Sequence, residues 1–161
     1  MSKVVIYNRN DGDDASLVTG RLSNSLVLLK DNYGRTLKSY SIGDATNIPV
    51  FEFNRNSFAV ELYEILGYFR YVRVQQVGNA NYLHMREVQV FDQNGFNRAQ
   101  ARAKYASQSS TNTYNNVPLP ASNAVDGELI GVNNLGSMTE YKTGKCQISA
   151  SIFPWMTCSV L

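Results

Sequence analysis

Tyr68-Phe69-Arg70-Tyr71-Val72-Arg73-Val74-Gln75 interleaves aromatic and β-branched side chains with two arginines. Such residues suit a pleated, half-buried strand, whose successive side chains leave opposite faces. A second stretch of the same kind, Glu87-Val88-Gln89-Val90-Phe91, follows closely. Gly78-Asn79-Ala80-Asn81 turns between the two, and Asp92-Gln93-Asn94-Gly95 ends the second.

The same pattern continues towards the start of the chain. Ser25 to Lys30 is apolar, and Asp31-Asn32-Tyr33-Gly34 supplies residues that tolerate positive φ. Arg35 to Ile42 then sets Leu37, Ser39 and Ser41 against Lys38, Tyr40 and Ile42, which predicts a hairpin. Lys3 to Tyr7 reads as a strand. Asn47 to Phe53 reads as another, with Pro49 near its beginning, where a missing N–H does least harm. Asn8 to Gly20 reads as a long polar loop. Phe58 to Leu66 fits either a strand or one helical face and is read as strand or irregular structure. Residues 98–106 have helical propensity without a recurring apolar stripe. Ala121-Ser122-Asn123-Ala124-Val125-Asp126-Gly127 reads as a tight buried turn. Gly131 to Gly144 reads as loop, and Cys146 to Leu161 is apolar without a period. Short strands about ten residues apart, with turn signals between them, predict an antiparallel all-β sandwich or barrel.

Composition narrows the function classes. With 161 residues, one domain is expected, and 43% hydrophobic residues suffice for one core. Ten tyrosines and seven phenylalanines agree with a β class. A net charge of +2 with only 17% charged residues is too weak and dispersed for a nucleic-acid footprint. No apolar run approaches the ~20 residues of a membrane helix, so no membrane span is expected. The apolar start turns polar at Asn8, too soon for the core of a signal peptide. Cys146 and Cys158 are read either as free thiols or as the ends of a small disulfide loop. One histidine, no Ser/His/Asp order and no metal-ligand cluster argue against an enzyme.

Three groups of segments carry a specific resemblance. The first is Val4-Val5-Ile6-Tyr7-Asn8-Arg9-Asn10-Asp11 with Arg21-Leu22-Ser23-Asn24. The second is Tyr71-Val72-Arg73-Val74 with Tyr82-Leu83-His84-Met85-Arg86-Glu87-Val88-Gln89-Val90-Phe91. The third is Gln108-Ser109-Ser110-Thr111 with Pro120-Ala121-Ser122-Asn123-Ala124-Val125-Asp126-Gly127. Together they resemble the F5/8 type C (discoidin) and fucolectin-related galactose-binding-like domains, over most of residues 3–127. The resemblance implies a jelly-roll β-sandwich that binds carbohydrate, in an extracellular or virion-surface setting.

The segments stand in an unusual order. The family opens with the Ser-Ser-Thr and Ala-Val-Asp-Gly pieces, which come last here. Two explanations fit. The chain is a window across a tandem array, or it is a permuted single domain. On the first, residues 1–93 are the C-terminal two-thirds of one repeat and 94–130 the N-terminal segment of a following repeat. The poorly matched tail 131–161 is long enough to complete the sandwich if Ile148, Ile152, Phe153, Trp155 and Val160 pack inward.

The resemblance also assigns residues. Fucose-binding members grip sugar hydroxyls with a His and two Arg, the first Arg within Arg-x-Asp. Here Arg9 and Asp11 match that motif, and Arg21 is the candidate second arginine. The family's His lies upstream of this strand, so His84 is read as belonging with the calcium segment instead. An arginine suits the task because its planar fork donates in pairs to neighbouring oxygens. The plainer reading pairs Arg9 and Arg21 with Asp11, Asp13 or Asp14 on a solvated loop. The resemblance further implies a Ca2+ site built from the main-chain oxygens of Arg86, Asn123 and Glu128 and the carboxylates of Glu87 and Asp126. Calcium takes six to eight such oxygens. The plainer alternative has Asp126 capping its own turn while Glu87 lies on a surface strand. Tyr33, Tyr40, Tyr82, Tyr105 and Tyr114 are candidate stacking platforms for a pyranose ring. The function expected is a lectin-like module with glycan or glycoprotein partners, alongside neighbouring repeats in a longer protein. The alternative is a structural or adhesive repeat with a degenerate ligand site.

Overall fold

The computed structural model describes residues 2–11, 14–54, 69–78, 81–100, 105–129, 136–141 and 147–151. Alternation in the sequence becomes two antiparallel sheets. The strands are β1 (Lys3–Tyr7), β2 (Ser25–Lys30), β3 (Thr36–Ile42), β4 (Val50–Asn54), β5 (Tyr71–Gln76), β6 (His84–Met85), β7 (Glu87–Phe91) and β8 (Ser107–Gln108). They continue with β9 (Thr113–Tyr114), β10 (Val117–Pro118), β11 (Ser137–Met138) and β12 (Gln147–Ser151). One sheet has the order β4-β1-β7 and the other β3-β2-β5-β12-β8; β9 with β10 and β6 with β11 form short ribbons.

Side-chain periodicity places the core between these sheets. Val4 and Ile6 of β1 and Val88 and Val90 of β7 meet Val27 and Leu29 of β2, Ile42 of β3, and Val72 and Val74 of β5. All are essentially removed from solvent. At 1.5–3 kcal/mol for each buried aliphatic side chain, roughly, this cluster is the main favourable contribution to folding. Ala99, Ala121 and Val125 join the same cluster. The chain is therefore an all-β antiparallel sandwich with the 121–127 turn packed on its core.

Two turns close by the same device. Asp31 accepts from the backbone N–H of Tyr33 and Arg35 and from Arg35 Nε, while Gly34 adopts φ 78°. Asp92 accepts from the N–H of Asn94 and Phe96 and from Arg98 Nε, with Gly95 at φ 80°. A short carboxylate can satisfy two turn amides at once, which is why Asp leads such turns.

Three elements depart from the sequence reading. The polar loop after β1 contains a short helix, α1 (Ala15–Gly20), whose N-cap Asp14 accepts from Leu17 N at 3.0 Å. The stretch read as loop before Gly144 contains β11, paired with β6. The aperiodic tail contains β12, which lies between β5 and β8. Phe58–Leu66, residues 101–104, both cysteines, Ile152, Phe153, Trp155 and Val160 lie outside the described residues.

Candidate functional site

The end of β1 is fastened by Asn8. Its buried Nδ2 donates to the carbonyls of Thr19 and Ile48, each at 3.0 Å. That anchor holds the chain after β1, where Arg9 and Asp11 lie, against the end of α1, where Arg21 follows. Pairing of β6 with β11 brings in a third segment. Met85 stands opposite Ser137 and His84 opposite Met138, and Leu83 N donates to Thr139 Oγ1 at 3.0 Å.

These elements converge on His84, which is 0% exposed. Arg9 Nη1 lies 3.1 Å from His84 Nε2, and Arg21 Nη1 lies 3.0 Å from His84 Nδ1. This corrects the expectation that His84 stands apart from the arginines: its imidazole sits between them. Asp11 accepts from Arg9 Nε at 2.7 Å and pairs with Arg86 Nη2 at 2.9 Å. Partial burial pushes the Asp11 carboxyl up, but the hydrogen bonds and charge of Arg9 and Arg86 outweigh it and hold the group below its usual range. Burial, then the charge of Arg9, lowers the Arg21 guanidinium from its ordinary value.

The plainer pairing is therefore half present, since Asp11 does hold Arg9. Among the described residues no ion pair engages Arg21. Its guanidinium lies over the Tyr82 ring at 5.1 Å, and that ring meets the exposed Tyr141 edge-on at 5.2 Å. Tyr82 is thus the anticipated aromatic that reaches the cluster, and Tyr141 is one the sequence reading did not single out. Tyr33 lies under Arg35, Tyr40 packs on Phe53, and Tyr105 and Tyr114 are exposed.

The chemistry of this cluster is that of a donor array. A neutral imidazole has one acceptor nitrogen and one N–H. It accepts from only one of the two guanidinium groups that face its ring. Arg9 and Arg86 share the Asp11 carboxylate, and no ion pair among the described residues engages Arg21, so the surplus is of hydrogen-bond donors and positive charge. An oxygen-rich ligand complements that surplus.

The second constellation lies next to the first, because Arg86 directly precedes Glu87. Arg86 N donates to Tyr7 O at 3.0 Å, while its side chain serves Asp11. Glu87 starts β7 opposite Tyr7 and is 0% exposed, so it is no surface residue. Its Oε1 accepts from Gly127 N at 3.2 Å. Its Oε2 is buried with no hydrogen-bond partner among the described residues. Burial, then the negative charge of Asp126, pushes the Glu87 carboxyl up to about 8. Asp126 also caps its own turn, accepting from Glu128 N at 2.9 Å. Asn123 Nδ2 donates to Gly136 O at 3.2 Å, which ties the turn to the approach to β11. The segments holding Glu87 and Asp126, thirty-nine positions apart in the chain, are thus brought together.

A buried carboxylate with an unsatisfied oxygen calls for a proton or a cation. The neighbouring carboxylate of Asp126 is of the hard oxygen type calcium takes. In donor chemistry alone, these residues fit the ion that the resemblance implies. Among the described residues, no group of three or more His, Cys, Asp or Glu side chains converges. No helix is long and apolar enough to cross a membrane among those residues. Comparison with protein-family models, with curated proteins and with solved structures finds no match.

Proposed function

We propose that this chain is a non-catalytic carbohydrate-binding module, lectin-like, with its saccharide held at the Arg9–His84–Arg21 cluster and a calcium ion supporting the neighbouring Glu87–Asp126 turn. The carrying observation is the imidazole held between two guanidinium groups. Arg21 is the member best placed to meet the ligand, being half-buried rather than enclosed, and its fork donates to vicinal hydroxyls. Tyr82 and Tyr141 border it with aromatic surface, which suits the apolar face of a pyranose. The buried Arg9 and His84 act behind it: Asp11 fixes Arg9, and Arg9 and Arg21 together fix the ring.

In the resembling family a His and two Arg make the same set, and here His84 supplies the imidazole from a different stretch of chain. The reading thus extends to a permuted jelly roll of the galactose-binding-like class. Calcium would be held by Glu87 and Asp126 with the main-chain oxygens of Arg86, Asn123 and Glu128. It would neutralise the buried carboxylate and stiffen the segment that begins two residues after His84.

A glycan array read with and without a calcium chelator tests the proposal. Binding of a defined saccharide set, weakened by chelation, is the expected result. No binding in either condition counts against it. The complete burial of His84 favours a second reading, in which the cluster is a polar brace within a structural or adhesive repeat. A saturable monosaccharide affinity in the millimolar range or better sinks that alternative.

A further inference from the structure

Beside Arg21 lies a cavity of about 300 Å³, lined by Gly20, Ser23, Asn24, Gln76, Val77 and Asn81, among others. Its lining residues adjoin the cluster along the chain and through one hydrogen bond. Gly20 directly precedes Arg21, Asn81 directly precedes Tyr82, and Gln76 Nε2 donates to Arg21 O at 3.2 Å. Its volume falls at the lower end of small-ligand sites, roughly 300–1,000 Å³.

The lining chemistry differs from that of the arginine cluster. Ser23, Asn24, Gln76 and Asn81 carry hydroxyl or amide groups, and none of the residues named is charged. Gln76 is only 4% exposed, and its Oε1 is buried with no hydrogen-bond partner among the described residues. An orphaned buried acceptor is costly, and the side chain that carries this one lines the cavity. Uncharged donors and acceptors around a modest cavity match a neutral, hydroxyl-rich ring rather than an anion, which would need cationic partners.

We infer that this cavity is a second saccharide subsite, taking a neutral pyranose unit linked to the one held at Arg21, so that the ligand is at least a disaccharide. The inference rests on the saccharide reading of the cluster and adds a distinct contact to it.

Calorimetry on the full chain tests it. The probes are methyl glycosides of L-fucose and D-galactose, set against di- and trisaccharides carrying either unit at the non-reducing end. The longer ligands of the preferred series are expected to bind at least tenfold more tightly than the monosaccharide. Val77→Trp fills the cavity from its exposed side. It is expected to remove that gain and leave monosaccharide affinity within about twofold. Gln76→Met, which deletes the amide oxygen at similar length, is expected to remove much of the gain as well. Arg21→Ala is expected to lose both kinds of ligand. Equal affinity for mono- and oligosaccharides, or a gain that persists in folded Val77→Trp, overturns the subsite and leaves the arginine site standing. Absence of all saccharide binding overturns both.

Discussion

Arg21 and Glu87 show how burial without full compensation marks the chemistry of single residues. Arg21 rests on Tyr82 and faces His84. Hydrogen bonds from charged donors are worth ~1.5–3 kcal/mol each. Arg21→Ala is therefore expected to lower saccharide affinity at least tenfold, with a thermal midpoint changed by only a degree or two; calorimetry and a melting curve together check it. Glu87 gives a pH dependence of stability whose sign follows from its raised value. Between the ordinary 4.5 and about 8, the folded chain keeps the proton that the unfolded chain has released. Stability in chelator therefore falls as pH rises across that window and levels off above it, at about 1.4 kcal/mol for each pH unit of displacement. Denaturant titrations from pH 5 to 9 should show the fall. Glu87→Gln should flatten it, and calcium should offset it by raising the stability of the parent chain above pH 7. Of these residues, Arg9, Asp11 and Arg21 were marked in the sequence by the resemblance of their stretch to an Arg-x-Asp motif with a second arginine after it. His84 was not, because its place between the arginines depends on the tertiary anchor at Asn8 and on a two-residue pairing of β6.

The elements that carry the site are short, and single positions hold them. Gly136 adopts φ 73°, and a Cβ there would collide with the backbone of Met85 and Arg86. Gly136→Ala is expected to cost more than about 1 kcal/mol, since neither the φ nor the approach suits a side chain. Because β11 supports the strand bearing His84, the same substitution should also weaken saccharide binding; melting and binding measured on one preparation check both. The long strands were readable from alternation: β7 has the predicted limits, and β2 and β3 form the predicted hairpin. β11 and β12 escaped for a physical reason. Ser137–Met138 is too short for a period to register, and Gln147–Ser151 has too few large apolar residues to stand out as a strand. α1 escaped because its signal is one capping aspartate in a polar run.

At the scale of the molecule, the order of segments no longer separates the two halves of the chain. Ala121 and Val125 pack in one cluster with Val4 and Val72, and Gly127 donates to Glu87. β12 is an inner strand of the five-stranded sheet, hydrogen-bonded to β5 on one side and β8 on the other. A chain ending at residue 141 leaves the β5 edge without that partner and detaches β8. It is expected to lose cooperative unfolding, as read by circular dichroism on heating and by amide exchange in β5. The all-β sandwich was legible from periodicity, and the length of the tail allowed it to complete the sandwich, but which residues would form the closing strand was not legible, since non-local pairing leaves no local pattern. If the Arg9–His84–Arg21 cluster holds a saccharide as proposed, the chain's one histidine is an unambiguous probe of it. The most direct test follows the imidazole nitrogen resonances by NMR while the full chain is titrated with the methyl glycosides of L-fucose and D-galactose in calcium. Saturable shifts of the His84 signals, abolished by Arg21→Ala, are the predicted result. Saccharide binding that leaves those signals unmoved, or no binding well above millimolar ligand, would contradict it.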